Sequence, residues 1–145
     1  MHEIMIYLKK IHNKMESERS NAYRKFQLTS TQLDTLEYLN YAPPGKNTLT
    51  DIAGFFGVKH TSVIHVLKIL EEKGFIYRDI NTRGTHCKPI CLTDNGKRVI
   101  ADIEKKKPLI NSAVLSGITP KDQEYLTGML KKIYENLESS NLKDI

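Results

Sequence analysis

Apolar residues recur along most of the chain at helical intervals. Ile4, Leu8, Ile11 and Met15 step by four, three and four, which places them on one face of a helix. A helix is predicted across residues 3–26, turning polar through "ESERSNAYRK". Leu33, Leu36 and Leu39 form a second stripe. Thr29 and Gln32 have the spacing of a capping box at its start, and "APPGKN" ends it. A third, short helix is expected in "TLTDIAGFFG", with Thr48 as its cap, Asp51 near its positive end and Gly57 as its stop. In "HTSVIHVLKILEEKG", Val63, Val66, Leu67 and Leu70 make a buried stripe and Gly74 closes the helix. Two short helices around a tight glycine turn outline a helix-turn-helix.

After Gly74 the rhythm changes. "FIYRDI" and "THCKPICLT" alternate as strands do, and "NTRG" between them is turn-rich, so a β-hairpin is predicted. Pro89 has no N–H for a ladder, which makes its strand an edge. Ile90 and Leu92 share one parity and should face the domain. Thr93 caps a long helix over residues 94–117, which Pro108 is expected to kink or split. A last helix follows from Thr119 as N-cap and Pro120 as first residue, with Leu126, Met129, Leu130, Ile133 and Leu137 along one face. The fold class is therefore mainly α: a winged helix-turn-helix with a two-stranded β wing and long N- and C-terminal helices.

Composition narrows the class. A chain of 145 residues suits one domain, and 39% hydrophobic with 27% charged residues suits a globular one. The net charge of +5 favours nucleic acid or another anionic partner. No apolar run reaches the ~20 residues of a membrane span. The opening "MHEIMIYLKK" places its lysines after the apolar residues, unlike a secretory signal. Two cysteines do not make a disulfide framework, so a cytosolic location is expected, where thiols stay reduced.

The polar side of residues 60–74 is where chemistry is expected. His60, Thr61, Ser62, His65 and Lys68 lie near its start. A major groove ~12 Å wide admits one helix, and small polar groups near the helix N-terminus allow close approach to base edges. A solvated face without function is the competing reading; the preceding helix-turn-helix spacing and the following hairpin weigh against it. Arg83, at the wing turn, is placed to reach a minor groove or phosphate.

Other candidate chemistry is thinner. Cys87 and Cys91 would stand ~13 Å apart along a strand, too far for a disulfide. Both are expected to be inert, with a thiol-sensing role for Cys87 as the alternative. His86 and Cys87 point to opposite faces and do not chelate one metal together. The five histidines show no metal-type spacing, and no metal or cofactor is expected; His12 reads as a solvated helix residue. No nucleophile elbow, phosphate-binding loop or carboxylate pair appears, so the chain is not expected to be an enzyme.

Three stretches, "FQLTSTQLDTLEYL", "LTDIAGFFGVKHTSVIHVLKILEEKGFI" and "ICLTDNGK", together resemble the MarR family of transcription regulators. They align without gaps with that family's second helix, its helix-turn-helix and the end of its wing, and the order of elements agrees over roughly residues 3–138. The resemblance implies a single domain over 1–145, with a winged helix at 29–96 and dimerisation helices at 1–28 and 97–145. It implies a homodimer on a pseudo-palindromic operator in double-stranded DNA, commonly released by a small-molecule effector or an oxidant. Carried onto this chain, Lys59, His60, Thr61, Ser62, His65 and Lys68 would read or approach the groove. Arg83, Thr85, His86 and Lys88 would touch backbone or minor groove. Tyr7, Ile11, Tyr38 and Tyr41 are candidates for lining an effector cleft, with core packing as the alternative. Two positions depart from the family. Its usual wing Asp-x-Arg pair falls here on Gly84 and His86, and Lys59 stands where a capping Ser or Asp is common.

A winged helix used for protein contact, without DNA, is the second reading. Residues 49–96 carry only six Lys or Arg against five Asp or Glu, a modest charge for a DNA face.

Overall fold

The computed structural model describes residues 2–80, 88–140 and 142. Helix α1 (Glu3–Ala22) leads through a 3-10 turn (Arg24–Phe26) to α2 (Ser30–Tyr41), α3 (Leu49–Phe56) and α4 (His60–Glu72). Strands β1 (Ile76–Arg78) and β2 (Ile90–Leu92) follow, then α5 (Asp94–Val114) and α6 (Pro120–Ser139). The chain divides into two compact units, Met1–Ile103 and Glu104–Ile145. No helix among the described residues is long and apolar enough to cross a membrane.

The helix starts are written in threonine. Thr29 and Gln32 close a reciprocal capping box at α2, with the Gln32 N–H donating to Thr29 Oγ1 at 3.3 Å and the Thr29 N–H to Gln32 Oε1 at 3.0 Å. Thr48 does the same at α3, with Asp51 completing the box where only a favourable charge was expected. Thr119 caps α6 by accepting from the Asp122 N–H at 3.2 Å, with Pro120 in the first turn. Each such cap satisfies a helix donor that would otherwise lack a partner and contributes about 1 kcal/mol.

The core of the first unit draws on several elements, α4 among them. Leu33, Leu36, Ile52, Leu67, Leu70, Ile76 and Val99 are fully buried. They come from α2, α3, α4, β1 and α5, so five elements share one apolar centre. Ile90 joins the core and Leu92 packs against it, as their parity predicts.

The wing strands pair antiparallel in the register Ile76–Leu92, Tyr77–Cys91 and Arg78–Ile90. They are shorter than the alternating pattern suggested. The edge assigned to the Pro89 strand is partly covered. The Ile90 N–H donates to Asn47 O at 2.9 Å, and Asn47 Nδ2 donates to Ile90 O at 3.0 Å. Asn47, before α3, thus satisfies backbone groups of Ile90 that an edge leaves open.

Thr93 fastens the end of the wing to the rest of the unit. Its hydroxyl donates to Gly74 O at 2.6 Å while accepting from the Gly96 N–H at 3.1 Å. A Cβ built at Gly96 would lie 2.2 Å from the Phe75 carbonyl oxygen. Only glycine lets α5 approach that backbone so closely.

Pro108 does not split its helix: α5 runs continuously from Asp94 to Val114 with the proline inside. The proline removes one donor, which the carbonyl of Glu104 would have accepted. Both residues are exposed, so water can satisfy that carbonyl and the helix continues.

Candidate nucleic-acid interface

Helix α4 is positioned from both ends. Gly57, at φ 64°, ends α3 in the left-handed region and turns the chain sharply into α4. The Val58 N–H returns to Ala53 O at 3.1 Å. At the other end the Phe75 N–H donates to Leu70 O at 2.9 Å, and the Lys73 ammonium donates to the Gln27 carbonyl. Val63, Leu67 and Leu70 face the core at 4%, 0% and 0% exposure.

The opposite side is open. At 100° per residue, Thr61, His65 and Lys68 fall within an arc of about 60°, directly away from that buried stripe. All three are exposed. His60 and Ser62 flank the arc on opposite sides, so the five residues do not share a single line. His60 leans toward α3, with Nε2 3.4 Å from Thr50 Oγ1. Ser62 lines a shallow cavity of about 210 Å³ whose walls include Thr31 and Asp34 of α2, Phe56 of α3 and Val58 of the turn. Lys59 is the N-cap residue and makes no side-chain cap bond. The first N–H groups of α4 therefore find no acceptor in that side chain, an arrangement suited to an anion.

Of the expected wing contacts, Lys88 is exposed two residues before β2. Arg83, Thr85 and His86 lie outside the described residues, as does Cys87. Cys91 is a free, half-buried cysteine. It sits opposite Tyr77 across the strands, and its presence there raises the Tyr77 phenol above its ordinary range.

Several arrangements had no signature in the sequence. Arg19, in the polar tract of α1, pairs with Asp34 at 2.9 Å and with Glu37, both on α2. Burial pushes the Asp34 carboxyl up, while Arg19 pulls it down. Tyr38 stacks at 4.8 Å on Phe55, which meets Phe56 edge-on at 5.0 Å. Its hydroxyl donates to Lys46 O at 2.7 Å. No spacing rule links positions so far apart.

The four effector-cleft candidates occupy two helices. Tyr7 and Ile11 stand on α1 at 60% and 53% exposure, and Tyr41 ends α2 at 57%. Tyr38 is half-buried and packs against the core. None of the four lines the cavity beside Ser62.

A sequence model described as the MarR family matches residues 28–83, from the end of the first helical segment into the wing. Over that segment the chain is similar to the MarR family. An uncharacterised HTH-type transcriptional regulator of Bacillus subtilis, YwaE, is 30% identical over 89 residues, which make up 61% of this chain and 52% of that one. This chain thus aligns with about half the length of that relative. The transcriptional regulator SlyA superposes with a TM-score of 0.83 at 25% identity, covering 94% of both chains. MepR of S. aureus, solved as a complex with DNA, has a TM-score of 0.83 at 23% identity and covers 91% of this chain and 96% of its own.

Proposed function

We propose that this chain is a transcription regulator of the cytosol that binds double-stranded DNA as a homodimer, one α4 entering each of two successive major grooves. The observation that carries this reading is the exposed arc of Thr61, His65 and Lys68 on the side of α4 opposite its buried stripe. Small and cationic groups at the start of a helix, beside backbone N–H groups, suit base edges and phosphates. Lys59 and Lys88 are the phosphate contacts we assign on either side, with Ser62 and His60 at the edges of the groove. Arg83, Thr85 and His86 complete the wing contact.

The dimer rests on one exposed apolar stripe in each unit. On α1, Ile4, Ile11 and Met15 are 51%, 53% and 54% exposed. On α6, Leu126, Met129, Leu130 and Leu137 are 39–51% exposed. A second copy supplies what such stripes lack. MepR, whose fold the chain shares, was solved with DNA. Release by a small molecule near Tyr7, Ile11, Tyr38 and Tyr41, or by an oxidant, belongs to the same reading, as does action as a repressor.

The test is selection of bound duplexes from a random pool at two salt concentrations. An inverted repeat with half-sites about one helical turn apart supports the reading. Replacing His65 and Lys68 with alanine should weaken that binding while the dimer persists, and losing Lys68 alone should lower the salt slope by about one. Unchanged affinity in the double variant would reject the placement of α4. The second reading, a protein-contact module, is favoured by the 68% exposure of Phe55. It predicts no steep salt dependence with any duplex.

A further inference from the structure

The helix-turn-helix is the wrong sign for its proposed partner when its histidines are neutral. Residues 48–72 contain Lys59 and Lys68 against Asp51, Glu71 and Glu72, a net charge of −1 in a chain that carries +5. The same segment holds His60 and His65, both exposed. Protonating the two imidazoles turns −1 into +1 and doubles the positive groups from two to four.

The surroundings leave that protonation to be completed from outside the chain. Helix α4 packs against α3, α2 and β1. The charged groups on these elements are Asp51, then Asp34 and Glu37, then Arg78. Asp51 accepts from Thr48, Asp34 and Glu37 share Arg19, and Arg78 pairs with Glu71 at 3.4 Å. On α4 itself the flanking charges are Lys59, Lys68 and Glu72, with Lys73 committed to the Gln27 carbonyl. Among the described residues His65 has no hydrogen-bond or ion-pair partner, and His60 touches only the Thr50 hydroxyl. Among the described residues no carboxylate serves as counter-ion to either ring.

We propose that duplex binding by this chain is coupled to proton uptake, with His60 and His65 binding as imidazolium and the DNA phosphates acting as their counter-ions. This rests on the DNA-binding reading above and adds its regulation: affinity set by pH in the range where imidazole titrates, around 6.5. A phosphate beside an imidazole ring favours its charged form. Duplex affinity is then highest at low pH and falls as pH rises. A one-unit rise at one ring corresponds to about tenfold in affinity.

The experiment measures binding of a fluorescent duplex pool of about 30 base pairs at about pH 5.5 and about pH 8, with helix content checked at both. The full chain should bind at least tenfold more tightly at the lower pH, with a steeper salt dependence there. His60→Gln with His65→Gln should remove most of that ratio. His65→Lys should shrink the ratio while keeping tight binding at the higher pH, which a merely structural role for His65 would not produce. Affinity within about twofold at the two pH values, or a double glutamine variant that keeps the full ratio, would overturn proton coupling and leave DNA binding standing. Absence of duplex binding at both pH values would overturn the DNA reading and this inference with it.

Discussion

Helices α4 and α6 carry the same kind of amphipathic pattern and meet opposite fates. In α4 the apolar stripe disappears into the chain: Leu67 and Leu70 are both 0% exposed. In α6 the stripe stays outside, with Met129 at 45%, Leu130 at 41% and Leu137 at 51%. Periodicity shows that a helix has an apolar face; it does not say which molecule covers it. Fully burying one such side chain stabilises by about 2 kcal/mol. Helix α4 has already used that free energy to fix its orientation, whereas the α6 stripe remains exposed.

Substitutions can break this contrast, and the largest effect is expected on α6. Replacing both Leu126 and Leu130 with lysine would place two ammonium groups in the proposed dimer face. The dimer dissociation constant should rise by about a thousandfold, since each charge costs several kcal/mol to bury without a partner. Sedimentation should then find single chains with undiminished helix content at micromolar concentration. A surviving dimer would mean that α6 is not its interface.

On α4 the damage should fall on folding instead. Leu67→Ala leaves a cavity in a fully buried site and should cost about 3 kcal/mol in denaturant unfolding. An α4 stripe as dispensable to the folded unit as that of α6 would show almost no loss.

Gly96→Ala sharpens the comparison by testing how the unit holds α4 from behind. The added Cβ would meet the Phe75 carbonyl oxygen at 2.2 Å, so α5 or the α4–β1 turn must shift. About 2 kcal/mol of destabilisation is expected, with DNA affinity falling as the turn after α4 moves.

The smallest effect belongs to the helix before it. Thr48→Ala removes the α3 cap and should cost about 1 kcal/mol at neutral pH. The Thr48 hydroxyl and backbone N–H hold the Asp51 carboxyl below its ordinary 3.8. That contribution is complete above the ordinary value and lost as pH falls through the lowered one. The gap between variant and parent in urea unfolding should therefore narrow once pH drops below 3.8. A gap that widened on acidification would reject this account of the cap.

Much of this architecture was legible because it is local. Threonines before amphipathic runs announced helix starts at 29, 48, 93 and 119, and all four make the expected cap bond. Parity in the wing correctly put Ile90 in the core. Of the candidate interface, the outward direction of Thr61, His65 and Lys68 followed from helical periodicity alone. The turning of Ser62 into a cavity wall did not, because it depends on where α2 and α3 lie. Whether Pro108 would split α5 or leave it continuous was left open by the sequence, since the cost of one lost hydrogen bond depends on whether water reaches the freed carbonyl.

By itself the sequence determined where helices begin and end and which side of each is apolar, because caps, glycine turns and periodicity act within a few residues of chain. Only the tertiary structure decided which apolar faces are covered, that Arg19 joins α1 to α2 through Asp34 and Glu37, and that Asn47 bonds Ile90 at the edge of the wing. Those contacts form between residues remote in the chain. Their partners are selected by the packing of whole elements, which no local pattern encodes.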